Sequence, residues 1–474
     1  MTLRNWLACL ATICLLLTGG CRGYHAAPET SPFALPDAFS SKGGKASACN
    51  RWWQEFPDPR LWKIVDASLK DNFTIRSAFE RIKMAQAIVQ GSQAPLFPWL
   101  EAGSSLSHHT TREEGTYINR DEISLGATVS YEIDLWGRIG SGVKAARLDL
   151  AARQEDYHAA LLSLSALVAE KYYEIVALKQ ERQFINNQIE RNRTSLDIIR
   201  EKYRFGQIDS LDLLQQKQLV EQNISKEIEV EKALSTAKKE LAVLMGLPPD
   251  AGREMAIARC LPELPPLPAP GLPVEVIMRR PDCVRSLLEL KAANARLAQA
   301  VSEQYPRLTL NGSFESDSSA LKDLLENWIA TIAANILVPA FEGGRLEAEV
   351  KLREARSWKL LYDYGQVLLE AIKEVEDSLE IERRQHKLVA NLESRLAIAR
   401  DTSRLLKERY VAGDVEYLRF LVSQINVDEL ERQLVLERLK LIKNRIRLYK
   451  AIAGPVNVSQ NRQRIEADKS KVTK

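Results

Sequence analysis

The chain contains the segment EKYRFGQIDSLDLL from Glu201 to Leu214 and, further along, the related segment ERYVAGDVEYLRFL from Glu408 to Leu421. In each segment a tyrosine lies three residues before a glycine, and two leucines follow the glycine at the same distances. The offset between the two is constant, since 408 − 201 and 421 − 214 both equal 207. A constant offset predicts a tandem duplication, with one copy from Trp136 to Gly246 and the other from Gly344 to Gly454.

The arm that precedes the first glycine has the apolar pattern of a long helix packed against other helices. Its apolar residues form two seams that repeat every seven residues and alternate by three and four. A helix from Trp136 to Tyr203 would be roughly 100 Å long at about 1.5 Å per residue. Because Lys171, Arg182 and Asn192 interrupt the seams and other apolar residues lie off them, we expect further helical neighbours, and hence an oligomer.

Alternating residues predict two strands in each copy. The clearest candidate runs from Ile123 to Asp134, with one apolar and one polar face. Its partner is Trp99 to Thr110, and the polar segment Thr111 to Asp121 is expected to be the loop between them. In the second copy, a strand begins at Leu308 to Phe314 and another spans Trp328 to Val338. Trp99 and Trp328 fit either a membrane interface or ordinary core packing.

Helical patterns from Leu61 to Gln93 and from Arg279 to Tyr305 precede the two strand pairs. After residue 21 no run of about 20 apolar residues occurs, so the sequence predicts no transmembrane helix. Amphipathic strands in an exported chain instead predict a β-barrel. Because small outer-membrane barrels need at least eight strands, several copies of the chain must share one barrel. The number of copies does not follow from this argument.

The N-terminus has the order of a secretory signal, and two interpretations remain open. Arg4 precedes an apolar run from Trp6 to Leu17, and two glycines precede Cys21. One interpretation is a plain cleaved signal. The other is lipidation of Cys21, because Leu-Thr-Gly-Gly-Cys is similar to a bacterial lipoprotein signal. Lipidation would anchor the protein in the outer membrane, where it would extend into the periplasm.

These patterns together predict the organisation of the whole chain. The expected parts are a signal peptide (1–20), a lipidated tether (21–60), the first repeat (61–250), a proline-rich connector (251–273), the second repeat (274–455) and a polar tail (456–474). Each repeat is expected to contain a helix, two strands and a long helical hairpin.

The sequence offers no set of residues for catalysis, a cofactor or a metal. The net charge of +3 comes from interleaved charges, 66 Lys and Arg against 63 Asp and Glu, so no nucleic-acid footprint is visible. His108 and His109 are adjacent in an extended segment and should point to opposite faces, which does not suit a metal site. Of the cysteines after Cys21, only Cys49, Cys260 and Cys283 remain, and the sequence does not say whether two of them pair.

Three short motifs resemble the signature of the outer membrane factor (TolC-like) family, in its lipoprotein branch. They are Arg279-Arg280-Pro281-Asp282, Ala292-Ala293-Asn294 and Tyr305-Pro306-Arg307-Leu308. The resemblance covers about residues 50 to 455. It implies a homotrimer with a twelve-stranded β-barrel, four strands per chain, continued by a twelve-helix tunnel through the periplasm. Such proteins are passive ducts rather than enzymes, and they dock on a periplasmic adaptor joined to an inner-membrane pump. The Arg-Arg-Pro-Asp pattern favours a proton-driven pump, and the transported substrate is not predicted.

The resemblance also assigns roles to the hairpin tips. The position of Gly206 and Gly413 at the ends of long helices is sufficiently explained by a left-handed helix cap. In the family that the chain resembles, the same tips also contact the periplasmic adaptor. The docking candidates are Phe205, Gly206, Gln207, Ile208, Asp209, Ala412, Gly413, Asp414, Val415 and Glu416.

Asp212 and Arg419 occupy matching places after the tips, since 419 − 212 is again 207. The family has charged residues in this neighbourhood that close a periplasmic gate. Asp212 matches that pattern, but Arg419 departs from it because a carboxylate would be expected there. An Arg419 ion pair with Asp212 or with Glu416 is one interpretation, and a solvated surface arginine is the other.

The alternative to a channel is a non-conducting, lipid-tethered periplasmic coiled-coil scaffold. It would account for the heptads but would leave the amphipathic strands unexplained.

Overall fold

The structure is a computed structural model that describes residues 24–40, 51–269 and 271–456. The predicted signal peptide, Cys21, Cys49 and the tail after residue 456 lie outside the described residues. The chain divides into two compact units. The first holds residues 24–32, Ala85–Ala151 and Ser286–Gly365, and the second holds residues 33–40, 51–84, Ala152–Arg285 and 366–456.

Eight helices and four strands follow one another in the described residues in an order that repeats once. The elements are α1 Pro59–Asp71, α2 Phe73–Gln93, β1 Trp99–Glu113, β2 Thr116–Ile133, α3 Arg138–Arg204, α4 Ser210–Leu244, α5 Pro273–Arg279, α6 Pro281–Ser302, β3 Arg307–Ser318, β4 Trp328–Leu337, α7 Arg345–Ala412 and α8 Tyr417–Ile452. The predicted long arms are confirmed, since α3 has 67 residues and α7 has 68. Within the described segments, no helix is both long and apolar enough to cross a membrane.

The four strands form one antiparallel sheet in the order β1-β2-β3-β4. The register places most of the apolar strand residues on one face. These are Leu100, Ala102, Leu106, Ile123, Leu125, Ala127, Val129, Tyr131, Ile133, Leu308, Leu310, Phe314, Trp328, Ala330, Ile332, Ala334 and Ile336. We call this set the apolar face. The other face carries mostly Ser, Thr, Asn and Glu, so the predicted two-faced strands are confirmed.

The apolar face is not covered by the chain itself. Ile332 is 92% exposed, and Trp328 is 59% exposed although its ring stacks on Phe314 at 5.9 Å. Trp99 lies on the polar face and is also more than half exposed. Neither tryptophan therefore belongs to a core of the described chain.

The predicted loop from Thr111 to Asp121 is wrong. The β1–β2 ladder continues through it to the pair Glu113 and Thr116. Glu114 and Gly115 alone make the turn, with φ of +47° and +88°. A two-residue turn with both φ angles positive matches the twist of the flanking strands, and a backbone ladder does not require apolar side chains.

The predicted helix from Leu61 to Gln93 is interrupted at Asn72, which ends α1 and caps α2. The Asn72 Oδ1 atom accepts hydrogen bonds from the N–H groups of Thr74 and Ile75, while its Nδ2 atom donates to the Leu244 carbonyl. Gly246 lies so close that a Cβ there would clash with the Asp71 carbonyl. The break therefore lets the end of α4 pack against the backbone.

The second predicted helix, Arg279 to Tyr305, begins two residues later than expected. Arg280 is extended, and Pro281 starts α6, in agreement with the preference of proline for the first helical position. The Arg280 side chain is buried and bonds to Asp282, Glu374 and the Ala451 carbonyl.

Residues 24–40 have no regular secondary structure and bind to helices within each unit. In the first unit, the Ala27 N–H group donates to Ser357 Oγ, and Asn294 donates to the Ala27 carbonyl. In the second unit, Ser40 bonds to Glu376, and Phe39 is 6% exposed. This part of the predicted tether is therefore docked rather than free.

Candidate functional site at the two hairpin tips

The two long helices end in the same cap. Gly206 has φ of +66°, its N–H group bonds to the Tyr203 carbonyl at 3.0 Å, and the Gln207 N–H group bonds to the Lys202 carbonyl at 2.9 Å. Gly413, with φ of +83°, makes the equivalent bond to Tyr410. This pair of bonds defines a Schellman cap, so the predicted left-handed glycines are confirmed.

The loops that follow these caps are short and largely exposed. In the first tip, Phe205 is 76% exposed, while Ile208 is half-buried. Val415 takes the place of Ile208 in the second tip and is also half-buried. A Cβ at either capping glycine would meet open space. Both tips thus offer an exposed backbone turn with one apolar anchor beneath it.

An apolar cluster supports both tips from below. Its buried members are Ile199, Leu219, Tyr417 and Leu421, and Ile208, Leu213, Tyr410 and Phe420 pack against it. Tyr410 and Phe420 stack with ring centroids 6.0 Å apart, and Lys202 lies over the Tyr410 ring at 4.6 Å. Because both repeats contribute, this cluster joins the two hairpins.

A buried hydrogen-bond chain also connects the hairpins. The Tyr417 hydroxyl of α8 donates to Gln216 Oε1 of α4, and Gln216 Nε2 donates to the Asn192 carbonyl of α3 at 2.8 Å. Gln216 is fully buried. Sequence patterns do not reveal these hydrogen bonds, although Asn192 is a polar interruption of the heptad seam.

Asp212 and Arg419 do not form an ion pair within the described chain. Partial burial, together with the negative charges of Asp209 and Glu416, raises the pKa of the Asp212 carboxyl group. Arg419 is exposed and makes no ion pair with any described residue. The structure therefore brings together three carboxylates near the tips and pairs none of them with the Arg419 side chain.

Arg419 lies instead in a groove between α7 and α8. The groove has a volume of about 760 Å³ and is lined by apolar residues and by Arg395 as well. Ile398 and Val422 in its lining are 64% and 57% exposed. This face of the second hairpin is apolar and uncovered in a single chain.

Titratable residues do not assemble into a metal centre in the part of the chain that the structure describes. No group of three or more His, Cys, Asp or Glu residues there is arranged so that it could hold a metal ion. His108 bonds to Asp121 at 2.6 Å, whereas His109 lies 3.8 Å from Glu122. Cys260 is an exposed free thiol and Cys283 a buried one.

Comparisons with known proteins agree over nearly the whole chain. The model of the outer membrane efflux protein family matches residues 64–247 and 272–454. The pyoverdine export outer membrane protein OpmQ of Pseudomonas aeruginosa is 29% identical over 463 residues, covering 94% of this chain and 96% of OpmQ. The probable outer membrane lipoprotein SilC of Salmonella typhimurium is 23% identical, covering 93% and 97%. The CmeC outer membrane channel of Campylobacter jejuni superposes with a TM-score of 0.85 at 21% identity, covering 93% and 98%.

Proposed function

The chain belongs to the outer membrane efflux protein family, and we propose that it is the outer-membrane exit channel of a tripartite efflux or secretion system. Three copies would close a twelve-stranded barrel in the outer membrane and a helical tunnel in the periplasm. The channel is a passive duct that joins a periplasmic adaptor to which a proton-driven inner-membrane pump is attached.

The observation that carries this proposal is the uncovered apolar face of the sheet. A contiguous apolar surface that is exposed to water is unfavourable, whereas the same surface in contact with lipid is favourable. Within the described residues, β1 and β4 each leave one edge unpaired, and a bilayer does not accommodate unpaired backbone groups. Strands from further copies satisfy both edges. The groove with exposed Ile398 and Val422 supports contact between copies in the helical region as well.

Two neighbouring positions on β4 test the barrel. Ile332 lies on the apolar face and Thr331 on the polar face. Ile332→Lys should cost about 2 to 4 kcal/mol, the range for a lysine at the lipid face near the bilayer midplane, and reduce trimers in the outer membrane. Thr331→Lys should assemble normally and change the ion selectivity in planar bilayers. Equal behaviour of the two variants, or a wild-type protein that conducts no ions, would favour the non-conducting scaffold.

We further propose that the tips, residues 205–209 and 412–416, dock the adaptor. The exposed Phe205 side chain and the two identical caps support this role. A photoreactive amino acid at Phe205 or Ala412 should crosslink to a periplasmic adaptor in cells. Ile228 is the matched control, because it is 63% exposed on α4 away from the tips. Crosslinks of equal yield at all three positions would exclude specific docking at the tips.

We also propose that Asp212 and Arg419 act in the periplasmic gate. The carboxylates of Asp209, Asp212 and Glu416 repel one another, and Arg419 is available to a carboxylate of a neighbouring copy. Asp212→Ala and Arg419→Ala channels should therefore differ from the wild type in conductance. If both match the wild type in planar bilayers, the gating role is lost.

Cys21 is proposed to carry the lipid anchor, with support from its signal-like context and from the lipoprotein name of SilC. Cells grown with labelled palmitate should label the wild type but not Cys21→Ser. If the Cys21→Ser protein still carried the label, the lipid would be attached to a different residue.

A further inference from the structure

A cluster of cations lies in the second unit where α3 and α4 run side by side. Burial lowers the pKa of Lys179, and the positive charges of Lys238, Arg182, Arg60 and Arg259 lower it further. These residues come from α1, α3, α4 and the connector, so the fold and not a sequence run brings them together. Mutual repulsion disfavours such a cluster unless an anion offsets it.

Two members of the cluster, Arg182 and Lys238, line a small cavity. The cavity has a volume of about 250 Å³ and is lined by Arg182, Lys238 and Lys239 together with Ser235 and Gly252, among others. Gly252 is required for its wall, because a Cβ there would clash with the carbonyl oxygen of Lys238. This space suits a small polyatomic anion with a few water molecules and is too small for a helix.

The described chain supplies little negative charge to this cavity. Glu231 is the carboxylate among the lining residues, and it lies 3.7 Å from Arg182. Lys179, Lys238, Arg60 and Arg259 make no ion pair with any described residue. Within the described residues, most of this positive charge is therefore not neutralised by an ion pair.

The second repeat provides an internal comparison through the 207-residue offset. Lys238 corresponds to Arg445, since 445 − 207 = 238, and Lys179 corresponds to His386, since 386 − 207 = 179. There, Arg445 Nε bonds to Glu382 Oε1 at 2.8 Å, and both side chains are only 1% exposed. His386 Nε2 lies 3.6 Å from the same carboxylate.

The first repeat retains the cations of this arrangement but lacks the carboxylate. Glu382 corresponds to Ile175, since 382 − 207 = 175, and Ile175 is a fully buried apolar residue. The first repeat therefore has no carboxylate at the position that corresponds to Glu382. An anion from solution can take that role in the first repeat.

We propose that the cavity of the first repeat, which is lined by Arg182, Lys238 and Lys239, binds a compact oxyanion such as a phosphate or a carboxylate. Lysine and arginine donate charge-assisted hydrogen bonds to such groups. The oxyanion is either a free ion or the anionic group of a cell-envelope polymer. Neither source is implied by the channel function, and the proposal holds independently of it.

Calorimetric titration of the purified full-length protein with inorganic phosphate, at constant ionic strength, tests the site. Lys179→Gln/Lys238→Gln should weaken phosphate binding about tenfold or more, because one charged hydrogen bond contributes about a factor of ten. The control Lys217→Gln/Lys232→Gln removes the same charge from exposed positions of α4 and should leave binding unchanged. Equal weakening in both double variants would mean only a general effect of charge and would overturn the proposal.

Ser235→Glu separates a loss of the site from a loss of the fold. Ser235 is exposed on α4 and lines the cavity, so its replacement supplies the missing carboxylate without removing a cation. Ser235→Glu should weaken phosphate binding and raise the melting temperature. Sedimentation with purified peptidoglycan sacculi distinguishes the sources, because polymer carboxylates would retain the wild type but not Lys179→Gln/Lys238→Gln. No binding of either phosphate or sacculi by the wild type would refute the proposal.

Discussion

The buried pair of Glu382 and Arg445 offers a quantitative test of how the second repeat is stabilised. Both side chains are 1% exposed, and Arg445 also donates through Nη1 to the carbonyls of Pro265 and Pro266 at 2.7 and 3.1 Å. Glu382→Gln keeps the shape of the side chain but leaves the guanidinium buried without its counter-charge. Removing one partner of such a pair costs about 3 to 5 kcal/mol.

Urea unfolding of the purified protein measures this loss through tryptophan fluorescence. Trp52 is a suitable reporter, because its ring stacks on Tyr449 at 5.9 Å, one helical turn after Arg445. The control is Glu380→Gln. Glu380 is exposed and bonds to Arg383 and Arg384 at the surface, so its replacement should not change the urea midpoint measurably.

A double variant separates the charge from the packing. Glu382→Leu/Arg445→Leu removes both charges, and such replacements are often neutral or stabilising. It should therefore be more stable than Glu382→Gln. The reasoning is refuted if Glu382→Gln loses less than about 1 kcal/mol, or if the double variant is less stable than the single one.

Four further variants of the two hairpins are tested by urea unfolding. Burial raises the pKa of Asp428 to about 6, above the unfolded value of about 3.9. The wild type should therefore gain stability as the pH falls from 7 towards 4, and Asp428→Asn should be about 2 kcal/mol more stable at pH 7 with no such gain. Tyr417→Phe leaves Gln216 Oε1 buried without its donor, which should cost about 1 to 3 kcal/mol; an unchanged midpoint would contradict this. Gly206→Ala and Gly413→Ala should each cost about 1 kcal/mol, because an L residue is strained at positive φ, and a stabilised variant would exclude the cap.

Much of the fold could be predicted because its signals are local. The long helices, the strand faces and the capping glycines each depend on residues within a few positions of one another. One error falls where a distant contact overrides the local pattern, and the other where backbone pairing continues through polar residues. Asn72 interrupts an otherwise helical segment because its side chain bonds to the end of α4. The ladder past Thr111 continues because its backbone, and not its polar side chains, makes the pairing.

The candidate site was predictable in position but not in its contacts. The glycine tips and the places of Asp212 and Arg419 follow from the duplication. That Asp212 lies near Glu416 rather than Arg419 depends on how the two hairpins pack. Spacing along a chain does not encode the distance between residues on different hairpins.

The sequence by itself determined that the protein is a duplicated pair of long helical hairpins with two-faced strands. Helices and strands differ in the spacing of their apolar residues, and that spacing can be counted along the sequence. The tertiary structure alone decided which charges meet. It buries Glu382 against Arg445 in one repeat and gathers cations around Lys179 in the other. Two repeats with the same helical pattern differ in this way because a charge is neutralised by its neighbours in space, and those neighbours come from distant parts of the chain.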